Sequence, residues 1–320
     1  MTAMNRIPVE LAAPNIEAHR RSSTGVDFVH TFESGRPGPH VMVNAITHGN
    51  EICGALALDR LLGMKIRPLR GALTLSFANI EAFSRFDPKR PYATRFLDED
   101  FNRVWNAQTL DGPRDSIELR RARQLRPFVE AADFLLDIHS MLEPSPPVMI
   151  CGPLDKGIRF AFDIAIPRDI VSDGGHANGT RMRDFEGFGD PASGRNALLV
   201  ECGQHWERAA EHVAWQTTWR FLRHLEIVDP ELATREIDAA TPAPQRLVRV
   251  TDAVVARTPE FRFAREFSGM EVIAREGDVI AYDGAQTVRA PYDDCVLVMP
   301  VPNNVKTGLT AVRLGRIETL

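Results

Sequence analysis

The chain reads as an α/β protein: a mainly parallel, mixed sheet with helices on both faces, followed by a smaller all-β domain. Three observations carry this reading. From about residue 38 to 225, short apolar runs alternate with longer segments of helical period, the pattern of strands joined by crossover helices. Beyond residue 245 the helical period stops and short apolar runs separated by turn residues take over. Between them, "VDPELATREIDAATPAPQ" (228–245) is polar, Pro-containing and weakly periodic, and reads as a linker. At 320 residues the chain is long enough for two cores. The expected division is a catalytic domain over 1–227, the linker over 228–245, and a β-sandwich or barrel accessory domain over 246–320.

The elements follow in order. "HVMVNAIT" (40–47) is a buried strand, and "EICGALALDRLLG" (51–63) a helix with Ile52, Leu56, Leu58, Leu61 and Leu62 on its apolar side. "GALTLSFAN" (71–79) is a second strand. The next stretch, residues 80–105, is rich in charge, aromatics and Pro; so long a connection without regular structure is usually functional. Residues 114–132 form a helix, with Asp115 and Glu118 at capping-box spacing and Pro127 expected to kink or split it. "DFLLDIH" (133–139) and "NALLVECG" (196–203) are the third and fourth strands, and a helix over 207–225 carries Trp215, Trp219 and Phe221 on one side. "RLVRVTDAVVA", "MEVIAREGDVIAYDG", "QTVRAP", "CVLVMPV" and "LTAVRLGRI" are the short strands of the accessory domain.

Composition narrows the function classes. With 44% hydrophobic and 25% charged residues the chain is an ordinary globular protein. A net charge of −5 argues against a nucleic-acid partner, which would need a basic face. The four cysteines, Cys53, Cys151, Cys202 and Cys295, form no CxxC pair, so neither a disulfide framework nor a zinc ribbon is expected. "MTAMNRIPVELAAPNIEAHRRSS" has no uninterrupted apolar core of a leader, and nothing approaches the about 20 apolar residues of a membrane span. A cytoplasmic location, no membrane and a small-molecule partner are the expectations, and a homo-oligomer is compatible with them.

Three of the four main strands end in residues able to bind a metal or move protons. The first runs into His48 and Glu51, the third into Asp137 and His139, and the fourth into Glu201. Parallel strands place their carboxyl ends on one edge of a sheet, so these segments can converge. Two imidazoles and a carboxylate with a fourth position open are the usual donors of a catalytic zinc, one ion per chain, and His48, Glu51 and His139 supply them. Asp137 suits a second-layer acceptor for an imidazole N–H, and Glu201 a base toward a zinc-activated water. Taken singly, HxxE is as well explained by a polar corner and Glu201 by a capping acid; their joint position is the argument. In the insertion, Arg95, Asn102 and Arg103 suit a carboxylate or a developing oxyanion, or else pair with Asp98, Glu99 and Asp100.

HGNE (His48–Glu51), N-x-x-A (Asn79 to Ala82), Arg95 to Arg103 as R-F-x-D-x-D-x-N-R, D-I-H (Asp137–His139) and V-E-x-G (Val200 to Gly203), in this order, resemble the succinylglutamate desuccinylase/aspartoacylase family over about residues 40–225. The resemblance implies a zinc carboxypeptidase-like fold and hydrolysis of the amide of a small N-acyl amino acid. It implies zinc ligands at His48, Glu51 and His139, the general acid/base at Glu201, carbonyl polarisation by Arg95, and capture of the substrate α-carboxylate by Asn102 and Arg103. The chain departs from the family after DIH, where "SMLEPSPPVMICG" replaces a more polar stretch, so the residues that grip the acyl group have no counterpart by motif.

Arg181 and Arg183 are expected on solvated surface, with contact to a second anionic group as the alternative; His176 and His205 are expected to be surface or packing residues. The C-terminal segment resembles a biotinyl or lipoyl carrier, but Tyr292-Asp293-Asp294-Cys295 lacks the attachment Lys, which excludes that role. Such a domain would instead limit access to the cleft, with Tyr282 or Tyr292 toward the substrate. The competing functions are a carboxypeptidase-like metallopeptidase, which needs a wider cleft, and a non-catalytic amino-acid-binding protein, which would have no use for Glu201.

Overall fold

The computed structural model describes residues 7–176, 178–302 and 305–318. Residues 1–6, which begin the stretch read as having no leader, lie outside them. In chain order the strands are β1 (Val29–Glu33), β2 (His40–Ala45), β3 (Ala72–Phe77), β4 (Phe134–Met141), β5 (Val148–Ile150), β6 (Asp169–Ser172), β7 (Asn196–Gln204), β8 (Arg246–Val255), β9 (Arg262–Phe263), β10 (Glu271–Ile273), β11 (Val279–Asp283), β12 (Gln286–Arg289), β13 (Cys295–Val298) and β14 (Thr310–Glu318). The helices are α1 (Ile52–Gly63), α2 (Ile80–Phe83), α3 (Ala107–Leu110), α4 (Ile117–Ala131), α5 (Asp155–Ile164), α6 (Arg208–His224) and α7 (Pro230–Glu236).

Eleven strands join in one mixed sheet, ordered β1-β3-β2-β4-β7-β5-β6-β8-β14-β13-β10, and β12-β11-β9 form a small second sheet. At its centre β2 pairs in parallel with β3 and β4, and β4 in parallel with β7. These strands are apolar runs because both their faces are covered. Val41, Val43 and Ala45 of β2 pack on the side of α1, α5 and α6, while the intervening Met42 packs against α4 with Leu119, Ala122 and Leu125. The period-2 alternation of a strand thus feeds two cores, one on each face.

α1 buries a different stripe from the one its leucines suggest. Ile52, Cys53, Gly54, Ala55, Ala57, Leu58 and Leu61 are inside, whereas Leu56 and Leu62 are only partly covered. Gly54 explains the small side chains: a Cβ there would lie 2.9 Å from Ala45 Cβ and 3.0 Å from Ile138 Cγ2. The helix therefore sits close on β2 and β4, and its first turn is held against the sheet edge.

α4 departs from expectation in two ways. Its cap is Ser116, whose Oγ accepts the Leu119 N–H at 2.9 Å, not Asp115. The helix also runs on through Pro127 to Ala131. Glu118 is consequently not part of a capping box. Its buried carboxylate accepts the backbone N–H groups of Leu97 (2.8 Å), Asp98 (3.1 Å) and Glu99 (3.3 Å) and the Asn79 amide (3.1 Å). Asp98 returns a bond by accepting the Ile117 N–H at 2.8 Å. The insertion is thereby fastened to the start of α4, and within it Ile80–Phe83 and Phe101–Arg103 form short helical turns.

Residues 228–245, read as a linker, contain α7. Asp229 caps it by accepting the Leu232 N–H at 2.8 Å, and Pro230 occupies the first turn, where its missing donor costs nothing. After it, β8 pairs in parallel with β6, so the C-terminal strands continue the main sheet, while Phe261, Phe267, Ile280 and Leu297 help form a core of their own.

Replacing Glu118 with Ala should leave three backbone donors of the insertion without their acceptor. We expect a loss of roughly 2–4 kcal/mol in urea unfolding and faster amide exchange at Leu97, Asp98 and Glu99. Unchanged exchange there would show that the insertion is held by other contacts.

Candidate metal centre and active site

The site forms where the chain leaves β2. Ile46 adopts φ 60°, a conformation that a β-branched residue rarely takes, and this turns the backbone out of the strand toward His48. Gly49 is required by a close approach: a Cβ would lie 2.5 Å from the Ala82 carbonyl carbon. Its N–H donates to the Arg95 carbonyl at 3.0 Å, which brings the insertion over the site. Asn50 joins the same packing through Pro91 and Trp206.

His48, Glu51 and His139 are all buried, and their ligand atoms lie within 4.8 Å of one another. Glu51 stands at the start of α1 without capping it. One carboxylate oxygen is 2.6 Å from His48 Nδ1 and the other 2.9 Å from His139 Nδ1. The opposite ring nitrogens are also held: His139 Nε2 is 2.8 Å from Asp137 Oδ2, and His48 Nε2 is 3.0 Å from Asp100 Oδ1. Asp137 itself accepts from Asn44 (2.8 Å) and Thr47 (2.9 Å). Both imidazoles therefore turn Nδ1 inward, the arrangement in which an outer carboxylate sets the ring and the inner nitrogen meets a cation.

The electrostatics separate the carboxylates. Burial opposes charge on Glu51, but the two imidazoles overcome it and hold the group well below its ordinary value. Burial likewise opposes charge on Asp100, yet His48 and Arg95 keep it strongly ionised. His139 is pushed well above its usual range, because Asp137 and Glu51 outweigh its burial. Glu201 goes the other way. It lies across from His139 in the β4–β7 pairing, is 8% exposed, and has a buried Oε2 with no partner among the described residues. Burial, aided by Glu51 and Asp137 and opposed by His139 and Arg95, raises it to about 8. Since Glu201 lies inside β7 and the N-cap position of α6 is Glu207, a capping role is excluded.

The insertion adds the cations. Arg95, 38% exposed at its side chain, places Nη1 3.3 Å from Glu51 and Nη2 3.0 Å from His48 Nε2. Asn102 is buried, with Nδ2 3.5 Å from His139 Nε2 and Oδ1 accepting the Met182 N–H at 2.9 Å. Arg103 donates to the Asn102 carbonyl at 2.7 Å. Every expected site residue thus falls in one neighbourhood, although Asp100 partners His48 in addition to lying 3.6 Å from Arg95.

Other expectations need correction. Arg181 and Arg183 are buried, not solvated: Arg181 binds Asp173 and Asp184, and Arg183 binds Asp184 and the Cys151 and Ala197 carbonyls. Tyr282 and Tyr292 are engaged in the C-terminal strands, under the guanidinium of Arg262 and beside Thr251 and Arg316 respectively. Arg313 of β14, which no motif marked, contacts His176 and lies 3.7 Å from Asp173. His205 is a buried packing residue whose Nδ1 lies 2.8 Å from Ser140 Oγ.

The family model of the succinylglutamate desuccinylase/aspartoacylase catalytic domain matches residues 37–210. No curated protein matches the chain. Among solved structures, succinylglutamate desuccinylase from Silicibacter sp. TM1040 is 17% identical with a TM-score of 0.65, over 91% of this chain and 88% of that one. The enzyme of the same name from Vibrio cholerae is 16% identical with a TM-score of 0.62, over 88% and 82%. The ectoine utilization protein EutE (DoeB) from Ruegeria pomeroyi is 16% identical with a TM-score of 0.64, over 91% and 89%. At these identities the structures speak for the fold, including the C-terminal strands.

A carboxyl whose folded value is raised from 4.5 to about 8 binds its proton more tightly in the folded state, so it removes stability as pH rises through that window. In chelator-treated protein, Glu201→Gln should therefore melt several degrees above wild type at pH 9, and the two should coincide near pH 4. Equal melting temperatures at both pH values would show that Glu201 carries no such burial cost.

Proposed function

Because the chain belongs to the succinylglutamate desuccinylase/aspartoacylase family, matched over residues 37–210, we propose that it hydrolyses the amide bond of a small N-acyl amino acid, releasing a carboxylic acid and a free amino acid. One observation carries the reading: the ligand atoms of His48, Glu51 and His139 converge within 4.8 Å beside a buried Glu201 with an unpartnered oxygen. A pure binding site has no use for that oxygen.

The donor set fits one zinc ion per chain, with two imidazoles, one carboxylate and an open position. When bound, such an ion polarises the substrate carbonyl and lowers the pKa of a water toward ~7. Glu201 then takes the proton of the attacking water. Its burial makes it a stronger base than an exposed carboxylate, and the same group can return the proton to the leaving nitrogen. Arg95 stabilises negative charge developing on the carbonyl oxygen, since its guanidinium lies against the ligand residues. Asn102 and Arg103 hold the α-carboxylate, with Asn102 itself fixed by the Met182 N–H. Asp137 and Asp100 keep the two imidazoles oriented.

A screen of N-acetyl, N-succinyl and N-formyl amino acids with added zinc, read by release of free amine, tests the activity; no release from any of them would oppose this reading. Glu201→Gln should retain one metal per chain by elemental analysis and lose about two or more orders of magnitude in kcat, the usual contribution of a general acid/base. Near-normal turnover would remove Glu201 from the chemistry. Arg103→Ala should act mainly through KM, rising about tenfold or more for loss of a charge-assisted carboxylate contact, with a smaller change in kcat.

A further inference from the structure

Beside α4 a second cleft, of about 380 Å³, shares no lining residue with the metal centre. Arg120, Arg121 and Gln124 line it from α4, Asn79 and Glu81 from the start of α2, and residues 25–27 from the segment before β1. Positions 117, 120, 121 and 124 recur at helical spacing, so α4 turns one stripe into the cleft. The volume falls within the ~300–1,000 Å³ of small-molecule sites.

Arg121 is the unusual member. It is 6% exposed, and its guanidinium donates only to neutral acceptors. Nε donates to the Ala78 carbonyl at 2.9 Å, Nη2 to the carbonyls of Phe77 (2.8 Å) and Asp27 (2.9 Å), and Nη1 to Gln124 Oε1 at 3.0 Å. Burial pushes the group down to about 10, and the charge of Asp27 alone acts the other way. That carboxylate is already paired with Arg20 at 3.1 Å. A guanidinium has about five N–H groups and these bonds use all but one, so an N–H of Nη1 is left without a protein acceptor. A buried cation held this way lacks a counter-charge, which is costly.

The rest of the cleft supplies both signs. Arg120 pairs with Asp115, but both side chains are more than half exposed, so the contact is weak and easily exchanged. Glu81 is exposed, and its carboxylate has no ion pair or hydrogen bond among the described residues. With Asp27 it would repel a di- or trianion, whereas a zwitterion meets a matching charge at each end. The same wall reaches the insertion. Asn79 Nδ2 donates to Glu118 at 3.1 Å, and Glu118 accepts the N–H groups of Leu97, Asp98 and Glu99.

We propose that this cleft is a second ligand site, for a free α-amino acid, whose carboxylate meets Arg121 and Arg120 and whose ammonium meets Glu81. Occupancy is transmitted through Asn79 and Glu118 to the insertion that carries Arg95, Asn102 and Arg103. Binding stands without the amidohydrolase reading; that the ligand is of the same class as a released product, and so regulates turnover, rests on it.

Each standard L-amino acid, titrated singly into holoprotein, is read by calorimetry for affinity and by hydrogen exchange for location. At least one should slow exchange at residues 25–27 and 117–124 and also at Leu97, Asp98 and Glu99. Its amide, without the carboxylate, and its deaminated acid, without the ammonium, should each protect the cleft with an affinity about tenfold or more weaker. Glu81→Gln, at an exposed position, should weaken binding about tenfold and leave turnover without added amino acid unchanged. Arg121→Met should abolish binding; should that variant fail to fold, Glu81→Gln and the two analogues decide the matter. Absence of protection at the cleft with every amino acid, protection confined to the segments of the metal centre, or equal protection by the amide would overturn the proposal. Protection of the cleft in protein that hydrolyses no amide would uphold the site and refute the activity.

Discussion

The buried carboxylate of Asp137 is the contact on which the rest of the site depends. It has no exposure to water, and it accepts from Asn44 on β2, from Thr47 in the turn that follows, and from the ring of His139 two residues further along β4. Asn44 and Asp137 are opposite one another in the β2–β4 ladder, so a slip of one residue would break the bonds from Asn44 and Thr47 and turn Asp137 and His139 to the other face. A fully buried anion is tolerated only with such partners, and these partners set register, turn and ring orientation together. From that point the chain reaches His48 and Glu51, and across the β4–β7 ladder it reaches Glu201.

The carboxylates around this point have been given opposite characters by their surroundings. Glu51 meets two imidazoles and stays ionised, while Glu201, also buried and one strand away, has no ion pair among the described residues and is raised by its burial. Two acids of the same type become a ligand and a base because one environment supplies positive charge and the other mainly removes water. Asp100 extends the first pattern to His48. That both imidazoles carry an outer carboxylate, one from two residues earlier on β4 and one from the insertion, makes the insertion part of the centre.

The residues that were legible in the sequence are those whose position follows from strand periodicity. His48, Glu51, Asp137, His139 and Glu201 sit at or near the ends of parallel strands, and the order of apolar runs already brings such ends to one edge. What could not be read depends on long-range pairing. Glu118 looked like a capping acid because its spacing from Asp115 allowed it, yet its partners are about 20 residues earlier. Arg181 and Arg183 lie in a Gly-rich polar stretch that resembles surface, and only the buried Asp173 and Asp184 make their burial affordable. α7 is different: Asp229 and Pro230 are an ordinary start signal, and the surrounding Pro and Ala obscured it.

Arg313 was hidden for the same reason as Glu118, since its partner His176 lies 137 positions away. Its placement follows from the sheet. β14 pairs along its length with β8, and β8 pairs with β6, whose last residue Ser172 precedes Asp173. The guanidinium and the segment it faces are therefore joined by two adjacent ladders. The close seat of Gly269, where any Cβ would meet the Ser145 side chain at 1.9 Å, presses the C-terminal strands onto the connection that follows β4. The C-terminal strands are thus a continuation of the sheet whose centre carries the site.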